Sequence, residues 1–125
     1  MSHHTLYVNA RLLDPATGMD KMGQLMTHKG KITAIGDNIE APKDAEVIDC
    51  DGKCLCPGLI DMRVFVGIPG EDYRDTIENT GEAAASGGVT TVCVQPVTNP
   101  IIDDMARVEF LENRAKKALV NFISI

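Results

Sequence analysis

Positive charge is in short supply in this chain of 125 residues: 12 Lys and Arg stand against 18 Asp and Glu, for a formal net charge of -6. Nucleic acid is therefore not expected as a partner, because phosphate backbones are held by clustered basic side chains. No apolar run approaches the ~20 residues that cross a bilayer, and the N-terminus lacks the charged-then-apolar profile of a secretory signal. No membrane association is expected, and the cytoplasm is the expected compartment. Low-complexity tracts are missing as well. So is any Cys-X-X-Cys pair: Cys54 and Cys56 share a strand face and Cys50 lies close in sequence, but with Cys93 they match no paired metal-site spacing. Reduced structural thiols are the expectation. Histidine is scarce, with His3 and His4 in a frayed terminal segment and a solvated His28 before Lys29. Ser86 and Ser124 sit in no nucleophile elbow. The glycine-rich Ala84-Ala85-Ser86-Gly87-Gly88 follows a helical stretch instead of opening one, which excludes a phosphate cradle.

What is present divides at Pro57. Residues 1–56 read as short alternating strands over 5–10, 23–28, 31–35, 46–48 and 53–56, punctuated by Asp-Pro, His-Lys-Gly-Lys and Asp-Gly turns. Residues 57–125 change texture to strand, helix, strand, helix, strand over 59–66, 75–86, 89–95, 103–119 and 120–125. That order is the opening of a parallel β/α array. In the second helix Met105, Val108, Leu111, Ala115 and Leu119 form an apolar stripe, interrupted by Glu112, and Lys116 and Lys117 suit its C-terminal end. The small residues Gly81, Ala84 and Ala85 would let the first helix lie close to a sheet. The chain ends on Leu119-Val120-Asn121-Phe122-Ile123-Ser124-Ile125, which reads as a third buried strand with nothing to cover it. A segment of a longer protein is the expectation.

Two stretches carry the chemistry. Pro57-Gly58-Leu59-Ile60-Asp61-Met62-Arg63-Val64-Phe65-Val66-Gly67-Ile68-Pro69-Gly70 reads as a buried strand whose C-terminal end carries a site, and period two puts Arg63 and Phe65 on one face. Asp61 is either a strand-end residue bonded to nearby backbone or a residue that orients the ligands of a metal beside it. Arg63 is either its ion-pair partner or an anion contact. The stretch resembles the cyclic amidohydrolases, most closely the dihydroorotase and allantoinase branch, whose motif runs Pro-Gly-Leu-Ile-Asp-X-His-X-His-Leu-Arg-Glu-Pro-Gly. The resemblance puts the two zinc-binding histidines at Arg63 and Phe65, the substrate-carboxylate arginine at Gly67 and an acid at Ile68. A guanidinium stays protonated and repels a divalent cation, and a phenyl ring has no lone pair.

The second stretch, Gly87-Gly88-Val89-Thr90-Thr91-Val92-Cys93-Val94-Gln95-Pro96-Val97-Thr98-Asn99-Pro100, resembles the family's Gly-Gly-X-Thr-Thr-Val followed by Met-Pro-Asn-Thr-X-Pro. The substrate-binding Asn of that motif falls on Val97 and its Met on Gln95, while Asn99 comes two positions late. The resemblance implies an α/β fold: the first β/α units of a metallo-dependent-hydrolase (β/α)8 TIM barrel, preceded by a small β-sandwich unit. Such a barrel needs about 250 residues. By residue type, no catalytic residue, substrate-binding residue or metal ligand is retained, and no cofactor is expected. The resemblance thus implies a non-catalytic dihydroorotase-like protein, kept for assembly with an aspartate transcarbamoylase-like partner of pyrimidine synthesis or as a homo-oligomer. The alternative is an active cyclic amide hydrolase whose zinc is held by residues outside this segment, with Arg63 as an anion clamp.

Overall fold

The computed structural model describes residues 3–67, 70, 76–97 and 99–124. They fall into two compact units, Met1–Pro57 and Gly58–Ile125.

The first unit is built on a long strand β1 (His4–Asp14), which pairs antiparallel with β2 (Met19–His28), itself antiparallel to β3 (Lys31–Gly36). The β1–β2 turn is closed by Asp14, whose carboxylate accepts from the Ala16 N–H at 3.0 Å and the Thr17 hydroxyl at 2.8 Å. Lys29 (φ 51°) and Gly30 (φ 72°) make the two-residue β2–β3 turn, whose paired positive φ values match the strand twist. On its other edge β1 pairs in parallel with β4 (Glu46–Asp49) and then with β5 (Cys54–Leu55). Leu6, Ala10 and Leu12 supply the buried apolar positions of β1.

The expected β-sandwich is not what the described residues form. All five strands join one mixed sheet, because β4 and β5 continue along the same edge of β1 instead of starting a second layer. The turn between them is pinned by the Asp49 carboxylate, which accepts from the Asp51 N–H at 2.9 Å and the Asn9 side-chain amide at 3.0 Å. Those two bonds, the backbone one foremost, hold the Asp49 carboxyl below its ordinary value of 3.8. A depressed folded-state pKa contributes stability above the unfolded value, lost as pH falls through the lower folded one. Asp49→Asn is therefore expected to flatten the dependence of the melting temperature on pH below about 4. An unchanged acid limb in a pH series of thermal melts would remove Asp49 from this role.

The second unit is a parallel sheet of β6 (Leu59–Val64), β7 (Val89–Val94) and β8 (Asn121–Ser124), in that order. Helices α1 (Ile77–Ser86) and α2 (Met105–Ala115) connect the strands. Val66, Ile77, Val92, Val94, Ile102, Leu111 and Val120 form the core. The small-residue helix packs closely as expected: a Cβ at Gly81 would meet Ala118 Cβ at 3.2 Å and Phe122 of β8 at 3.7 Å.

Three expectations need correction. Helix α2 is shorter than 103–119, since the Asp104 carboxylate caps the Arg107 N–H at 2.9 Å and the Ala118 N–H folds back to the Ala115 carbonyl at 2.9 Å. Its stripe is correspondingly reduced: Leu111 is buried, while Met105 (72% exposed) and Leu119 (73%) lie at or beyond its ends. Helix α1 begins at Ile77 behind a Thr76 cap, and the expected start at Asp75 lies outside the described residues. Strand β6 is not buried; Leu59, Ile60 and Met62 are each more than half exposed. It is an edge strand, and the core forms on the sheet face that carries Val92 and Val94 with both helices.

Candidate functional site

Parallel sheets bind ligands beyond the carboxyl ends of their strands, which here means the ends of β6 and β7. Pairing runs from Asp61↔Val92 to Val64↔Val94, so β6 spends three steps where β7 spends two. That is a β-bulge at Met62–Arg63, a device that re-aims side chains near sites. Asp61 accounts for it locally: its Oδ1 accepts from the Arg63 N–H at 3.0 Å. Of the two roles open to Asp61, the structure shows the bond to nearby backbone. The ion-pair role of Arg63 is not realised. Its side chain is exposed, its main chain makes the Asp61 contact, and no Arg63–Asp61 ion pair occurs among the described residues.

Beyond the bulge, exposure alternates regularly. Arg63 is exposed, Val64 half-buried, Phe65 exposed and Val66 buried, so Arg63 and Phe65 both lie away from the core side, as their spacing predicted. The Gln95 N–H extends the pairing by donating to the Val64 carbonyl at 2.9 Å. Gly67 follows, buried and at φ 72°. An arginine placed there would carry its Cβ in left-handed backbone at a cost of roughly 1–2 kcal/mol. Val97 is 62% exposed after β7, and Asn99 is exposed two positions on. Ile68 and Thr98 lie outside the described residues.

Two contacts at these strand ends were not anticipated from sequence. Gly70, at φ 112°, sits so close to Asn99 that a Cβ there would overlap the Asn99 carbonyl, 2.8 Å from its carbon. The chain at Gly70, after β6, thus passes close to the chain at Asn99, after β7. The second contact is a sulfur pair, Cys93 Sγ to Met62 Sδ at 3.8 Å, between the two strands. Ser86 is accounted for as well, since its hydroxyl donates to the Ala83 carbonyl at 2.7 Å and serves the end of α1.

The donor set does not fit a zinc ion. Zinc takes Cys, His or carboxylate donors, tetrahedrally in most sites. Among the described residues only Asp61 and the buried Cys93 are of that kind at the strand ends, the one with an oxygen already accepting a backbone N–H and the other with its sulfur 3.8 Å from Met62 Sδ. No group of three or more His, Cys, Asp or Glu converges among the described residues. Among the described residues the strand ends present the exposed Arg63 guanidinium and the exposed apolar side chains of Phe65 and Val97.

Comparison with known proteins decides the family. The dihydro-orotase-like family pattern matches residues 52–124, which is more than half of the chain. The chain belongs to the dihydroorotase-like family. Among curated relatives, a dihydroorotase of Wolbachia sp. subsp. Drosophila simulans is 43% identical over 110 residues, covering 87% of this chain and 25% of the relative. A dihydroorotase of Pelobacter propionicus is 35% identical over 113 residues, covering 90% and 27%. Among solved structures, the L-hydantoinase (dihydropyrimidinase) from Arthrobacter aurescens superposes with a TM-score of 0.86 at 25% identity, over 99% of this chain and 27% of that one. A D-hydantoinase gives 0.77 at 30% identity, over 97% and 26%. The chain thus spans about a quarter of the length of these dihydroorotase-like relatives. The hydantoinase neighbours are TIM-barrel proteins, and the α/β unit described above matches part of them.

Proposed function

We propose that this chain is part of a dihydroorotase-like protein that is non-catalytic and retained for assembly with a pyrimidine-synthesis partner. One observation carries the proposal: Arg63 and Phe65 occupy the exposed side of the bulged end of β6, where the family resemblance puts a histidine pair. Neither side chain can bind a divalent cation. Gly67 and Val97 present no group for a substrate carboxylate or amide, and Gly67 sits in backbone that disfavours the arginine it replaces. The assembly role rests on the family: an aspartate transcarbamoylase-like subunit of cytoplasmic pyrimidine synthesis is the proposed partner, a second copy the other.

The test is metal content and its dependence on this segment. The protein, purified and dialysed against zinc, is expected to hold no stoichiometric zinc attributable to residues 61–67. A ratio near one zinc per chain, abolished by Asp61→Ala or Arg63→Ala, would overturn the proposal. One observation favours a second reading, an active cyclic amide hydrolase with its metal held by residues outside this segment. The exposed Arg63 guanidinium has no ion-pair partner among the described residues, so it is available to an anionic substrate. Under that reading zinc is bound, survives mutation of residues 61–67, and supports turnover.

A further inference from the structure

We propose that Cys54 and Cys56 form a two-thiolate site for a soft monovalent cation, copper(I) or silver(I). Structural thiols are buried, as Cys93 is here; Cys54 and Cys56 are both free and exposed. Leu55 between them is in strand β5, and the two-residue period of extended chain puts Cys54 and Cys56 on the same side of it. Cys54 and Leu55 are held extended by parallel pairing with Arg11 and Leu12.

That geometry separates the chemistries open to two neighbouring thiols. Two extended residues span roughly 6.6–7 Å, whereas a disulfide wants its Cβ atoms about 3.5–4.5 Å apart. The pair therefore cannot oxidise to a disulfide without moving the strand. A bridging cation bound through metal–sulfur distances of about 2.3 Å separates the sulfurs by about twice that, and the flanking C–S bonds close the rest. Two donors also select the ion. Zinc completes four ligands in a structural site, and no group of three or more His, Cys, Asp or Glu exists among the described residues. Thiolates prefer soft ions, copper(I) foremost.

Charge completes the site. Binding releases one proton from each thiol to solvent, so a monovalent cation between two thiolates leaves one negative charge. Arg11 is the cross-strand partner of Cys54. Asp20 fixes its guanidinium with two bonds, Nε to Oδ1 and Nη2 to Oδ2, each 2.7 Å. The hydrogen bond from Asp20 raises the Arg11 pKa well above its ordinary value, with a smaller contribution from Cys54, so the guanidinium stays charged beside the sulfur. With Nε and Nη2 committed to Asp20, donors on Nη1 remain for the thiolate.

The experiment titrates the reduced chain with copper(I) under anaerobic conditions against a chromogenic copper(I) chelator. One ion per chain is expected, with two sulfur neighbours in X-ray absorption. Cys54→Ser and Cys56→Ser should each weaken binding by at least roughly 100-fold, since loss of an outer-shell partner alone costs 10–100-fold. Both positions are exposed, and unchanged melting curves would show that the variants fold. Cys50→Ser and Cys93→Ala should leave the affinity unchanged, and zinc should not displace copper(I). Three or more sulfur neighbours, loss of binding in Cys50→Ser, or equal affinity in Cys54→Ser would overturn the assignment.

Discussion

Presented with dihydroorotate and excess zinc, the protein is expected to leave ring opening at its background rate. A catalytic zinc lowers the pKa of a bound water from about 15.7 to about 7, and transition-state stabilisation of that kind is worth several kcal/mol at ~1.4 kcal/mol per factor of ten in rate. The donor set at the end of β6 cannot supply it, because Arg63 is a cation and Phe65 has no lone pair. Under the non-catalytic proposal substrate positioning is expected to be weakened independently, with buried backbone at Gly67 and an exposed apolar side chain at Val97. Arg63→His with Phe65→His is therefore expected to stay inactive, since it restores two donors and no substrate contact. Adding Gly67→Arg and Val97→Asn is expected to recover activity only where the remaining ligands exist outside this segment, and it carries the strain of an L-residue at φ 72°. Metal-dependent hydrolysis by the unmodified protein at an ordinary turnover of about 1–10³ s⁻¹, free of contaminating enzyme, would refute the non-catalytic proposal.

The parts of this arrangement visible in the sequence are those that depend on local period and turn chemistry. The common side of Arg63 and Phe65 follows from two-residue alternation, which the exposure pattern retains past the end of β6. The β2–β3 turn was legible as Lys-Gly, and it is there that both residues take positive φ. Strand β2 starts at Met19, well before residue 23, because the antiparallel pairing with β1 runs on to Asp14↔Met19. That extension carries cross-strand contacts such as Arg11 with Asp20, which no local window contains. Helix ends were misplaced for a related reason. Asp103 and Asp104 are equally good caps by residue type, and only the structure shows that Asp104 takes the Arg107 N–H while Asp103 pairs with the Arg107 side chain. Burial of β6 was misjudged because an apolar run records what a strand can bury, not whether this segment provides a neighbour to bury it against. The bulge at Met62–Arg63 was likewise hidden, since the Asp61 bond that accompanies it looks in sequence like any Asp on a strand.

Gly70→Ala is expected to be the most damaging single-methyl change at the strand ends. Its Cβ would fall on the Asn99 main chain, overlapping the carbonyl oxygen and lying 2.8 Å from the carbon and 2.9 Å from Asn99 Cβ. Backbone atoms cannot swing aside as a flexible side chain would, so the main chain at Gly70 and at Asn99 must part. Overpacking of this kind costs about 1–3 kcal/mol. The backbone adds to it: at φ 112° an alanine occupies a sparsely populated region, at about 1–3 kcal/mol. A combined loss of about 3 kcal/mol or more is a large share of the 5–15 kcal/mol typical of a folded domain. In a unit of this size it lowers the melting temperature by more than about 10 °C. Gly88→Ala separates the two contributions within the same unit. Gly88 has a comparable positive φ of 79°, but a Cβ added there would meet nothing within 4 Å, so it carries strain alone and should cost about 1 kcal/mol. Thermal or urea unfolding of the two variants side by side reads the difference. Equal destabilisation would mean that the close approach of Gly70 to Asn99 does not limit what position 70 accepts.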